Sequence, residues 1–217
     1  MNRRDFVKNA LLATAAFAVA PSLLAKEEPT RKVNAAMKIL VLTGSPRKNG
    51  NTNTLADKFI QGATEVGHSV DRFDSAFKKV HSCIACDVCE MSGKPCVFKD
   101  DFEFVRSRIL EADMVVFVSP VYFWGFSTPL KAVMDRFHAL YKPLHTPKKA
   151  ILMTACATPK AETAKALSCN YESMIAGLGW TDAGQIIAPG VGPEGAILKT
   201  DYPKQAYLLG KNLGGVS

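Results

Sequence analysis

An apolar run, Ile39-Leu40-Val41-Leu42, passes without transition into Thr43-Gly44-Ser45-Pro46-Arg47-Lys48-Asn49-Gly50-Asn51-Thr52-Asn53. A short apolar run with no alternation reads as a strand buried on both faces, as in a parallel sheet. Beyond the polar loop, Leu55, Phe59, Ala63 and Val66 recur at helix spacing. Strand, polar loop and helix in this order aim backbone N–H groups and a helix N-terminus at an anion. Ser45, Thr52 and Asn53 add side-chain donors, and Arg47 is placed to close over a phosphate. The loop has neither the G-x-x-x-x-G-K-[ST] spacing of a nucleotide loop nor the G-x-G-x-x-G of a dinucleotide fold. It therefore binds some other phosphate, or it is an ordinary strand-to-helix turn.

The same alternation continues along the chain. Ser69 to Asp74 reads as a second strand, with Val70 and Phe73 as its apolar residues. Residues 75–99 then show no periodicity. Structureless loops beyond roughly 12 to 15 residues are uncommon in compact domains unless something functional organises them. Asp100 and Glu103 have the capping-box spacing and predict a helix start, with Phe102, Val105, Ile109 and Ala112 on its buried side. Met114 to Val118 is a third buried strand, entering the aromatic loop Ser119-Pro120-Val121-Tyr122-Phe123-Trp124-Gly125-Phe126-Ser127. A helix with Leu130, Val133, Phe137 and Leu140 on one face follows. Ala150 to Ala155 is a fourth strand. A helix from about Lys160 to Leu178, carrying Leu167, Tyr171, Met174 and Leu178, stops at Gly179. A fifth strand is placed near Gln185 to Ala188 and a last helix over Tyr202 to Leu213. Five strands alternating with helices predict an α/β doubly wound parallel sheet with helices on both faces.

In such sheets, ligands sit at the carboxyl ends of the strands, where strand order reverses. In the order 2-1-3-4-5 the first and third strands are neighbours, so the hydroxyl- and amide-rich loop and the aromatic loop share one edge. One can hold a phosphate and the other can stack on a flat ring, which describes a mononucleotide with a planar head. The chain has 217 residues and a formal charge of +7. Its lysines are dispersed, with no basic block interleaved with aromatic residues, which argues against a nucleic-acid surface.

The chain from about Met37 to Val216 resembles the flavodoxin-like NADPH-dependent FMN reductases and, within them, the iron–sulfur flavoproteins. GSPRKNGNTNTLA is similar to that family's FMN phosphate loop, and SPVYFWGFSTPLKAVMDRF to its flavin-ring segment. The resemblance implies an FMN-dependent oxidoreductase with phosphate contacts from Ser45, Arg47, Asn51, Thr52 and Asn53. It implies ring contacts from Pro120, Val121, Tyr122, Phe123, Trp124 and Gly125. It also implies a homodimer or homotetramer with NAD(P)H as a possible donor. No Ser/His/Asp triad or H-E-x-x-H motif occurs, and no side chain is assigned a catalytic role. In a flavoenzyme the cofactor ring carries the redox chemistry.

Cys83, Cys86 and Cys89 form C-x2-C-x2-C, and Cys96 follows. Such spacing can wrap four thiolates around one cuboidal cluster, and it resembles the motif by which iron–sulfur flavoproteins hold [4Fe–4S]. Four-thiolate zinc, disulfides and free thiols in a packed loop remain open for the same residues. Cys156 and Cys169 lie outside the motif.

Residues 1–25 differ from the rest. Arg3-Arg4-Asp5-Phe6-Val7-Lys8 precedes the alanine-rich stretch Ala10 to Ala20, which is too short and weak for a stable membrane span. The pattern resembles a twin-arginine export signal, cleaved after Ala20 or Ala25, with a polar tether over residues 26–36 and the FMN-binding domain over residues 37–217. An exported chain would lack a maintained NADPH pool, so a quinol or an electron-donor protein is the alternative partner.

Overall fold

The computed structural model describes residues 36–89 and 94–213. The leader at residues 1–25 and the tether through residue 35 lie outside the described residues. Five parallel strands form one sheet: β1 (Lys38–Thr43), β2 (Ser69–Asp74), β3 (Met114–Pro120), β4 (Lys149–Ala155) and β5 (Thr181–Ala188). Their order is β2-β1-β3-β4-β5, the flavodoxin-like order read from the sequence. The α-helices that lie wholly among the described residues are α1 (Asn51–Glu65), α2 (Phe102–Glu111), α3 (Thr128–Asp135), α4 (Tyr141–Leu144), α5 (Lys165–Leu178) and α6 (Tyr202–Lys211). Among the described residues no helix is long and apolar enough to cross a membrane.

The apolar runs in β1 and β3 show why the sheet must be covered twice. Leu40 and Leu42 of β1 with Val115 and Phe117 of β3 enter one core with Phe102, Ile109, Leu130 and Tyr171 from α2, α3 and α5. Ile39, Val41, Val116 and Val118 enter the other core with Leu55, Phe59 and Ala63 of α1 and Ala206 of α6. Successive strand residues point to opposite faces, so each strand residue removed from water contributes about 1.5–3 kcal/mol to one layer or the other. On the second face α1 and α6 touch backbone to backbone. A Cβ on Gly62 would lie 2.1 Å from the Tyr207 carbonyl oxygen, and one on Gly210 would lie 2.2 Å from that of Phe59. Only hydrogen fits at either place.

Four expectations are corrected in detail. The capping box at the start of α2 does not form. Asp101 is the N-cap but its carboxylate accepts the Lys79 N–H at 2.7 Å and makes no capping bond, Glu103 turns to Arg106, and the Asp100 carboxylate receives the N–H of Phe102 at 3.1 Å. The helix after β3 is regular only to Asp135 and continues as a 3-10 segment, Arg136–Leu140. The helix before β5 begins at Lys165, preceded by a 3-10 turn at Ala161–Ala164. Strand β5 starts four residues earlier than read, because Thr181-Asp182-Ala183-Gly184 forms a polar, edge-strand beginning with a register shift against Ala150 and Leu152.

Candidate functional site

The loops at the carboxyl ends of β1, β3, β4 and β5 enclose a cleft of about 300 Å³ lined by Ser45, Arg47, Asn51, Thr52, Val121 and Tyr122, among others. Its floor is built by short polar ties. The Gly44 N–H donates to the Val118 carbonyl at 2.9 Å, and the Ser127 hydroxyl donates to the Gly44 carbonyl at 2.8 Å. Gly44 has no room for a side chain, since its Cβ would fall 2.1 Å from Ser127 Oγ. The loop after β1 is thereby pinned to the start of α3. Within it the Arg47 N–H donates to Ser45 Oγ at 3.2 Å, and the Gly50 N–H to the Arg47 carbonyl at 3.0 Å.

Helix α1 opens onto this cleft with its positive end uncapped. Gly50 supplies no side-chain cap and no acidic residue stands in the first turn. Two or three turns of aligned peptide dipoles leave about half a positive charge at such an end, together with N–H groups that lack helical acceptors. Ser45 and Thr52 are buried beside it, while Arg47 is exposed at the rim. The Arg47 guanidinium crosses the cleft mouth to the Gly192 carbonyl at 3.3 Å. Donors, dipole and guanidinium converge as an anion requires.

The two asparagines act differently. The Asn51 amide donates to the Val191 and Pro193 carbonyls and its oxygen accepts the Ile197 N–H at 3.2 Å. It lines the cleft while latching α1 to the loop after β5. Asn53 donates to the Arg47 and Lys48 carbonyls at 2.8 and 3.2 Å, so its amide group shapes the loop from behind.

On the opposite wall, the Val121 N–H donates to the Ala155 carbonyl at 2.9 Å. Tyr122 and Gly125 exchange backbone hydrogen bonds, both 3.0 Å, across a two-residue turn in which Phe123 and Trp124 have φ of 49° and 62°. Positive φ at both central residues is the primed-turn geometry that normally selects Gly or Asn, and each aromatic residue there costs about 1–3 kcal/mol. The turn holds Tyr122 at the cleft and lifts Phe123, 95% exposed, and Trp124 into solvent. Of the aromatic segment, Pro120, Val121 and Tyr122 line the cleft, whereas Phe123, Trp124 and Gly125 stand outside its lining. The sequence reading left out Ala155, Ala157, Val191 and Gly192, which complete the walls with Cys156. Their signal was positional: each follows the carboxyl end of β4 or β5.

The cysteine-rich stretch forms a second concavity. Cys83, Cys86, Cys89 and Cys96 all face it, and none is paired in a disulfide. Among the described residues no three His, Cys, Asp or Glu side chains stand in a metal-holding arrangement. The donor set nevertheless suits a thiolate-bound group: the four cysteines share one concavity with Ile84, Ala85, Val97, Phe98 and Ala139, and Arg136 supplies a cation. Arg136 is 1% exposed. Its guanidinium donates to the Asp100 carboxylate at 3.0 Å, the His81 carbonyl at 3.0 Å and the Phe98 carbonyl at 3.3 Å. Burial works against the charged form of Asp100. The His81 N–H, the Arg136 guanidinium and the Phe102 N–H outweigh it and hold the carboxyl below the usual carboxylate range. Arg136 was assigned no role in the sequence reading, although it is the arginine of SPVYFWGFSTPLKAVMDRF, one of the two segments that carried the resemblance.

Comparison with known proteins decides the family. Residues 37–183 match the NADPH-dependent FMN reductases. The chain belongs to that family. An iron–sulfur flavoprotein of Methanocaldococcus jannaschii is 38% identical over 104 residues, covering 48% of this chain and 53% of the relative. One of Archaeoglobus fulgidus is 32% identical over 100 residues, covering 46% of this chain and 45% of the relative. This chain thus spans about half the length of the curated relatives it matches. An NAD(P)H:quinone oxidoreductase from Methanothermobacter marburgensis superposes with a TM-score of 0.62 at 16% identity, over 84% of this chain and 98% of that one. It shares the fold. Both segments that carried the resemblance meet at one cleft.

Proposed function

We propose that this protein is an FMN-dependent oxidoreductase of the iron–sulfur flavoprotein type, with FMN in the cleft and a [4Fe–4S] cluster on Cys83, Cys86, Cys89 and Cys96. The observation that carries the flavin reading is the uncapped end of α1 opening into the same cleft as Tyr122. Bound there, the flavin supplies two-electron and one-electron chemistry at its ring, and a cluster on the four thiols supplies one-electron transfer. The chain's own residues bind and orient. Ser45, Thr52 and the first N–H groups of α1 receive the phosphate, and Arg47 neutralises its second charge from the rim. Pro120, Val121 and Tyr122 pack against the ring. The tie from Val121 to Ala155 keeps that wall fixed, so little ordering entropy is left to lose on binding.

A cluster-free NAD(P)H-dependent FMN or quinone reductase is the second reading, favoured by the lack of a ligating arrangement among the described cysteines. The donor is nicotinamide in the cytoplasm. If residues 1–25 direct export, it is a quinol or a redox protein, and fractionation of the full-length chain separates the two. For the flavin site, titration with FMN and with riboflavin is the test. FMN binding at least a hundredfold tighter supports the phosphate cradle, and equal affinity contradicts it.

A further inference from the structure

Arg136 makes contacts at each end of the cysteine loop. The His81 carbonyl that it holds lies two residues before Cys83, and the Phe98 carbonyl lies two residues after Cys96. The planes of His81 and Phe98 stack at 4.7 Å. The guanidinium carbon sits 5.4 Å from the Phe98 ring centre and 4.6 Å from that of Phe102. One side chain, rooted where α3 passes into its 3-10 extension, therefore joins the two flanks of the cysteine-bearing stretch.

The inventory of its donors leaves a remainder. Both terminal nitrogens have acceptors, yet Nε is buried and has no hydrogen-bond partner. A buried guanidinium N–H without an acceptor costs free energy, and the side chain that carries it lines the concavity faced by all four motif cysteines. A thiolate-bound group there is anionic and exposes sulfur acceptors. We propose that Arg136 is a positioning residue for that group: Nε–H donates to one of its sulfurs, while the terminal nitrogens join the two flanks of the stretch.

This rests on the four-thiolate reading above, and it predicts a property that reading alone does not. A hydrogen bond and a fixed positive charge at the sulfurs stabilise the reduced, more negative form and raise its reduction potential. Arg136→Lys keeps the charge but removes the Nε–H and the planar fork. In anaerobically purified holoprotein with wild-type iron content, Arg136→Lys lowers the cluster potential by about 59 mV, a tenfold change in the ratio of oxidised to reduced at fixed potential for one electron. Arg136→Gln lowers it further. An unchanged potential in folded, iron-replete Arg136→Lys overturns the proposal and leaves the four-thiolate reading standing. Wild-type protein without iron removes both.

Folding of the variants is not required for the decision. Wild-type protein grown with 15N-arginine and reduced is examined by pulsed electron paramagnetic resonance. A guanidinium nitrogen coupling to the reduced cluster supports the contact, and its absence from an intense cluster signal overturns it.

Discussion

Replacing Asp100 by asparagine tests how the cysteine stretch is attached to the sheet. The Asp100–Arg136 pair is 3.0 Å apart, with the two side chains 6% and 1% exposed. The amide of Asp100→Asn would keep the shape of the carboxylate and lose its charge, leaving Arg136 buried without a counter-ion. Removing one partner of a buried pair costs about 3–5 kcal/mol. For a chain of this size each kcal/mol moves the melting midpoint by roughly 2–4 °C, so Asp100→Asn lowers it by about 6–20 °C at pH 7. The pH dependence follows from the sign of the shift. The folded carboxyl lies below its ordinary value of 3.8, so its stabilisation is complete above that value and is lost as pH falls through the folded pKa. The gap between wild type and Asp100→Asn, measured by urea unfolding, is therefore widest at neutral pH and narrows below about pH 4. A gap that is constant from pH 7 to pH 3, or a loss under 1 kcal/mol at pH 7, refutes the account of this pair as a charge-dependent clamp.

Three further outcomes are expected. Arg47→Ala loses a charge-assisted contact of about 1.5–3 kcal/mol and weakens FMN by roughly ten- to a hundredfold while leaving riboflavin unchanged, by flavin fluorescence titration. Cys86→Ser removes most of the bound iron, whereas Cys156→Ser and Cys169→Ser keep it, as read by metal analysis of anaerobic preparations; iron surviving in Cys86→Ser sinks the four-cysteine site. Gly62→Ala forces a methyl into the Tyr207 carbonyl and destabilises by about 1–3 kcal/mol, which denaturant unfolding detects; an unchanged midpoint means that α1 and α6 separate freely.

Much of this architecture could be read before any coordinates. The runs Ile39–Leu42 of β1 and Met114–Val118 of β3 are apolar because both faces of the sheet are covered, and a short unbroken apolar run bounded by turn residues reads as a buried strand. The polar start of β5 lacked the signal, since Thr181 and Asp182 lie exposed on the edge strand. The cleft loops after β1 and β3 were legible from their composition and their place after a buried strand, whereas the contributions after β4 and β5 were not read. What was not legible depends on bonds across long stretches of chain. Asn51 gives its amide to carbonyls in the loop after β5, and no local pattern foretells a backbone partner so distant. Arg136 is the clearer case. Its partners at His81, Phe98 and Asp100 are two carbonyls and a carboxylate that read as a helix cap. The capping-box spacing of Asp100 and Glu103 was real, but a buried guanidinium was the stronger claimant.

The most direct measurement is flavin and metal content in full-length protein purified without oxygen. The account predicts about one FMN and about four irons per chain, with iron lost together with any one of the four motif cysteines. Protein that carries FMN with zinc or no metal contradicts the iron–sulfur assignment and selects the cluster-free reductase. Protein that binds neither FMN nor iron under reconstitution contradicts the account as a whole.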